Sequence, residues 1–189
     1  MTKRILFDPS DYRELSAEEQ ALLQLAYQRG VDALKRNITP KGFSACSLVD
    51  NVVSGTDANY RSVWARDGAK TVIWSLDLAD EEIQACQEAT LRTILDRQAP
   101  AGQLPAHVLI DTDHPEYGGV GGITSIDGAI WTIIAAWWFC HERNDWSFAE
   151  EYRGTLQRAV DWLSALDSNN CGLLEIPEAG DWTDLFARR

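Results

Sequence analysis

Residues 127–141 read DGAIWTIIAAWWFCH, and this stretch decides the fold. Ala129 to Cys140 carries no charge and includes Trp131, Trp137 and Trp138. The run predicts a helix from Asp127 to about His141, apolar on every side and therefore expected to be buried on every side. It is the longest apolar run in the chain and falls well short of the roughly 20 residues that span a bilayer. A core helix is expected, with no membrane partner.

Upstream, Gln98 to Ser125 is a long loop with three Pro and five Gly. A connection of that length in a compact domain is usually functional. Before it, Asp80 is placed to cap a helix carrying Ile83, Cys86, Leu91, Ile94 and Leu95 on one face. A shorter, more apolar helix is predicted from about Asp67, with Ala69, Val72, Ile73, Trp74 and Leu76. The first helix opens on a capping box, Ser16 with Glu19. Leu22, Leu23, Ala26, Tyr27, Val31 and Leu34 then recur at helical spacing, and the helix is expected to end near Thr39-Pro40. Gly42 to Asn59 reads as irregular chain with one short strand. Downstream, Ser147 and Glu150 form a second capping box. It opens a fifth helix striped by Phe148, Tyr152, Leu156, Val160, Leu163 and Leu166. A turn over residues 167–172, a short strand from Leu173 to Ile176 and a loop from Glu178 to Asp184 follow.

The order is a repeat. One-sided helices (first, third, fifth) alternate with shorter, more apolar ones. Each apolar helix follows a loop that carries Asp: Trp64-Ala-Arg-Asp67, Ser125-Ile-Asp127 and Asp181-Trp-Thr-Asp184. The spacing is about 60 and then about 55 residues. Helical hairpins at a fixed period imply a stacked or closed array. If the apolar helices line its inside, all three acidic loops fall on one rim, since each leads from an outer helix to an inner one.

Composition bounds the ligand. The 189 residues hold 29 Asp and Glu against 17 Lys and Arg, a net charge of -12. Phosphate binding needs clustered cations, so no nucleic-acid partner is expected. The balance suits a neutral or cationic ligand. Cys46, Cys86, Cys140 and Cys171 form no CxxC pair, and no zinc site is expected. Cys86 and Cys140 read as core residues. Met1 to Arg13 is too polar for a signal peptide, which gives an expectation of a cytoplasmic, reduced protein. Eight Trp are several times the usual number. Aromatic faces fill cores, and they also stack on the apolar faces of sugars.

Carboxylates and tryptophans gathered on one rim suit glycoside hydrolysis, in which one carboxyl protonates the leaving oxygen and a second activates water or attacks. Asp127, at the mouth of the most buried helix, is the candidate general acid. The alternative for it is an N-terminal helix residue that serves as a dipole partner. Arg66 and Asp67 are candidates for a clamp on sugar hydroxyls or for a structural ion pair. Asp181, Trp182 and Asp184 place two acids and an aromatic in four residues, as a sugar-binding loop or a turn with a cap. His107 and His114 flank Asp111 and Asp113 at a spacing weak for a metal. Tyr117-Gly-Gly-Val-Gly-Gly122 lacks the Lys of a phosphate loop and reads as a flexible approach to the pocket. A terpene cyclase is disfavoured, because no DDxxD run is present.

Three segments, YRSVWARDGAKTVIWSL (60–76), SIDGAIWTIIAAWWF (125–139) and GLLEIPEAGDWTDLFARR (172–189), resemble the six-hairpin (α/α)6 glycosidases. Within that superfamily they are most similar to the bacterial amylo-alpha-1,6-glucosidase (glycogen debranching) type and the alkaline/neutral invertases. The resemblance implies an all-α fold, a partial (α/α)6 toroid of helical hairpins with short β segments in the rim loops. It implies that residues 1–189 are the N-terminal portion of one such catalytic domain. It implies Asp127 as general acid, with Trp64, Arg66, Asp67, His107, Trp131, Glu178, Asp181, Trp182 and Asp184 binding sugar. No cofactor is implied, and the partner is a neutral oligosaccharide or glucoside. Twelve helices at the observed period need on the order of 350 residues, and five are legible here. The expectation is thus of a truncated frame, completed by a second chain or by a further half that supplies the catalytic base. The competing expectation is a non-catalytic carbohydrate-binding or assembly module on the same rim.

Overall fold

The computed structural model describes residues 14–48, 60–119, 122–177 and 180–181. The chain forms two compact units, Met1–Leu34 and Lys35–Arg189. The first holds nearly all of α1 (Ala17–Lys35). Its capping box forms in both directions, Ser16 N–H donating to Glu19 Oε2 at 2.9 Å and Glu19 N–H to Ser16 Oγ at 3.3 Å. The helix stops at Lys35, before Thr39-Pro40, because Ile38–Thr39 (β1) pairs antiparallel with Gly42–Phe43 (β2).

The second unit is mostly helical with short strands: β3 (Ser62–Trp64), α2 (Ala65–Ser75), α3 (Glu81–Leu95), β4 (His107–Leu109), β5 (Pro115–Glu116), α4 (Asp127–Arg143), α5 (Ser147–Glu151) and α6 (Arg153–Ser164). Asp80 caps α3, its Oδ1 accepting from the N–H groups of Glu82 and Ile83, both at 3.1 Å. Ile83, Cys86, Thr90, Leu91, Ile94 and Leu95 of α3 are buried at helical spacing. Burial pushes the Cys86 thiol up to about 11. The β1–β2 hairpin is tied to α3, since Thr90 Oγ1 accepts from Phe43 N–H at 2.9 Å. Gly42 has φ +126, and a Cβ there would lie 2.6 Å from the Thr90 backbone, so only glycine fits.

β3 runs directly into α2, and β3, β4 and β5 form an antiparallel sheet with β4 central. Val63 and Val108 are fully buried in it. These strands come from the long loop 98–125 and the segment before α2. Arg61 grips Asp111 through two hydrogen bonds, 2.7 and 2.8 Å, and fastens β3 to the turn after β4.

α2 and α4 lie side by side and run parallel. Arg66 meets Asp127 at their first turns, and Lys70 meets Trp131 one turn later on each helix. Gly128 permits the approach, because a Cβ there would sit 3.1 Å from the Ala65 Cβ.

Several expectations need correction. α4 is buried along one stripe only: Gly128, Ala129, Thr132, Ala135, Ala136, Phe139 and Cys140. Ile134, Trp137 and Trp138 are 37%, 45% and 36% exposed. The helix is apolar all round, but among the described residues its partners lie on one side. The fifth helix is two, α5 and α6, broken at Tyr152 (φ -96, ψ 11). Tyr152 turns inward there, its hydroxyl donating to Asp96 Oδ1 at 2.7 Å. The second capping box does not form: Asp145 Oδ1 accepts from Ser147 N–H at 2.9 Å instead. Leu173–Ile176 is not a strand, although Glu175 N–H donates back to Leu166 O at 2.8 Å.

The close contact at Gly128 yields an expected outcome. Gly128→Ala gains helix propensity and needs only a few tenths of an ångström of relaxation, so it is close to neutral. Gly128→Leu forces α2 from α4 and lowers the unfolding free energy by about 1–3 kcal/mol, read as a lower urea midpoint.

Candidate functional site

The shared N-terminal end of α2 and α4 collects most of the sequence-derived candidates. Asp127 is the first residue of α4 and Arg66 the second of α2. Arg66 Nη1 donates to Asp127 Oδ2 at 3.1 Å, and the two side chains are only 17% and 14% exposed. The Ser125 hydroxyl lies 3.5 Å from Asp127 Oδ1. Ile126 N–H, just before α4, donates to Gly180 O at 3.0 Å and brings Asp181 to the same end. Asp67 sits in the first turn of α2 with its side chain exposed. Trp131 follows Asp127 by one turn, under the ammonium of Lys70 at 4.7 Å.

The sheet supplies a second cluster next to the first. Trp64, the last residue before α2, pairs in register with His107, which pairs with Glu116. The Trp64 and His107 rings stack at 4.2 Å. Ala65 N–H donates to Ala106 O at 2.8 Å and carries the ladder to the start of α2. His107 is 5% exposed, and its buried Nδ1 has no hydrogen-bond partner among the described residues. Burial holds the imidazole below its ordinary value, against an opposing pull from the Glu116 carboxylate.

Glu178, Trp182 and Asp184 lie outside the described residues. The other acids of the long loop are already engaged. Asp111 is held by Arg61, and Asp113 by Lys41 and Arg97, which keep both carboxyls below the usual range. Among the described residues no group of three or more His, Cys, Asp or Glu is placed to hold a metal, and no helix is long and apolar enough to cross a membrane. A cleft lined by Glu88, Arg92, Phe139, Arg143 and Glu151 lies at the far end of α4, and its two arginines are paired with its two glutamates. Lys70 was not legible as a site residue: it reads as one polar position in an apolar helix. Its step of four from Arg66 is the signal that places both on one face.

No protein-family model matches the chain, and no curated protein matches it. The functional reading therefore stands on the residues and their geometry.

Two outcomes follow from the site. Arg66→Met leaves the Asp127 carboxylate largely out of water without its charged donor. It lowers stability by about 1–3 kcal/mol, more than Asp127→Asn does, as measured by urea unfolding. His107 contributes a pH dependence whose sign follows from its depressed folded-state pKa. Stability is full above the ordinary value of 6.5 and is lost as pH falls through it, because the unfolded chain takes up the proton first. His107→Phe keeps a ring on Trp64 without titrating. The fall in Tm from about pH 7.5 to about pH 5 is smaller in the variant than in the wild type.

Proposed function

We propose that the chain belongs to an (α/α)6-type glycoside hydrolase domain acting on an alpha-glucoside, with Asp127 as general acid. One observation carries the reading: Asp127 and Arg66 meet at the common end of two parallel helices, with Trp131 one turn behind and Asp181 brought alongside. That is a carboxylate, a guanidinium and an aromatic face within one small region, the set that sugar recognition and glycosidic protonation draw on. The parallel pair α2 and α4 supports the toroid reading, because neighbouring inner helices of a closed hairpin array run the same way. The exposed flank of α4 at Ile134 and Trp138 is where a further inner helix would pack.

In this reading the Asp127 carboxylate leaves Arg66 as sugar enters, takes up a proton from water and passes that proton to the glycosidic oxygen as the C–O bond breaks. Arg66 then turns a donor to a sugar hydroxyl. Water attacks the anomeric carbon, and a second carboxylate takes its proton. The resemblance assigns that second carboxylate to a hairpin later than those described. Asp67 and Asp181 bind sugar hydroxyls at the rim.

A different reading, a non-catalytic carbohydrate-binding module, is favoured by one observation. The described partners of Asp127 are a guanidinium and a hydroxyl, those of Arg66 and Ser125.

Titration calorimetry with maltooligosaccharides, alongside reducing-sugar release by the full-length gene product, tests both. The hydrolase reading expects Asp127→Asn to slow hydrolysis roughly 10²–10⁴-fold with affinity little changed. Undiminished hydrolysis in that variant removes Asp127 from the chemistry. Wild-type binding with no release of reducing sugar selects the module.

A further inference from the structure

Lys70 is half-buried on α2, its Nζ 4.7 Å from the centroid of the Trp131 ring. Arg66–Asp127 and Lys70–Trp131 are cross-helix pairs four residues apart on both helices, so they lie along one seam, the second pair a turn behind the first. Among the described residues Lys70 has no carboxylate partner. The contrast is with Lys35, Lys41, Arg61 and Arg92, each of which sits on an acid.

A ring stacked on an aromatic face sits at van der Waals contact, about 3.5–4 Å above it. The Lys70 ammonium stands in the space that a pyranose stacked on this face of Trp131 would fill. Both are drawn to the same feature. The ring's negative face attracts the cation, and it also attracts the weakly positive C–H bonds of a sugar.

We propose that Lys70 gates the sugar subsite behind Asp127, by competing with a neutral pyranose for the face of Trp131. The proposal rests on the carbohydrate reading above and adds to it the residue that sets affinity at this subsite. A sugar stacking on Trp131 must displace the ammonium into water, and the lost cation–π contact is subtracted from its binding. Contacts of this kind are worth a factor of roughly 2–30 in affinity.

The test is calorimetric titration of the whole 189-residue chain with maltotriose. Lys70→Ala and the neutral, similarly long Lys70→Gln are expected to bind roughly 2–30-fold more tightly than wild type. Lys70→Arg, which keeps a cation over the ring, is expected to bind as wild type does. Adding Trp131→Ala to Lys70→Ala is expected to abolish the gain. Lys70 sits on a helix where alanine is favourable, and far-UV circular dichroism checks that each variant is folded. Wild-type binding with unchanged or weaker binding in both neutral variants overturns the gate and leaves the carbohydrate reading standing. No binding by wild type or by any variant overturns the carbohydrate reading and the gate with it.

Discussion

The close, parallel packing of α2 on α4 is the constraint on which the site depends. A parallel pair puts both helix N-termini at one end, with their unpaired N–H groups and partial positive charge. It also fixes which side chains face each other. Gly128 against Ala65 sets the separation, and at that separation Arg66 reaches Asp127 and Lys70 reaches Trp131. A wider spacing would leave a carboxylate and a guanidinium partly out of water without each other. Removing one partner of such a pair costs more than forming the pair gains, so the contact specifies register more than it adds stability.

The remaining elements position this end of the pair. The β3–β4–β5 sheet holds the start of α2, through the Ala65 to Ala106 hydrogen bond and the Trp64–His107 stack. The chain near Gly180 holds the start of α4 through Ile126. α3 packs on both helices, and its Gln87 joins them: its Nε2 donates to Ser75 O of α2 at 2.8 Å, and its Oε1 accepts from Arg143 of α4 at 3.2 Å. The excess of acid over base is handled by geometry. Asp111 and Asp113 are committed to Arg61, Lys41 and Arg97, which leaves the acids at the helix starts as the chemically interesting ones. Exposed pairs such as Arg61–Asp111 add little energy. Their role is to fix the loop that carries His107.

Much of this was legible in the sequence where local chemistry decides the outcome. Asp80 caps α3 and Ser16 with Glu19 caps α1, because a side-chain oxygen satisfies helix N–H groups a few residues away. The apolar stripe of α3 predicted its buried face. Ser147 with Glu150 misled, because Asp145 offers an oxygen to the same N–H from a better position. The fifth helix read as continuous because its stripe passes through Tyr152 unbroken. Nothing local to Tyr152 signals that its hydroxyl will be drawn to Asp96 on a different segment.

The sequence by itself determined where α1, α3 and α4 begin, which residues are too apolar to be loops, and that Asp stands at the start of α4 and in the first turn of α2. Those are consequences of spacing within a few residues. Tertiary structure decided that one side of α4 is covered and the other exposes Trp137 and Trp138. It also decided that His107 is buried with a nitrogen that has no hydrogen-bond partner among the described residues, and that Lys70 lies over Trp131. Each of these depends on which surfaces meet across 40 to 60 positions of chain, and no short-range pattern encodes the distance between two helix axes.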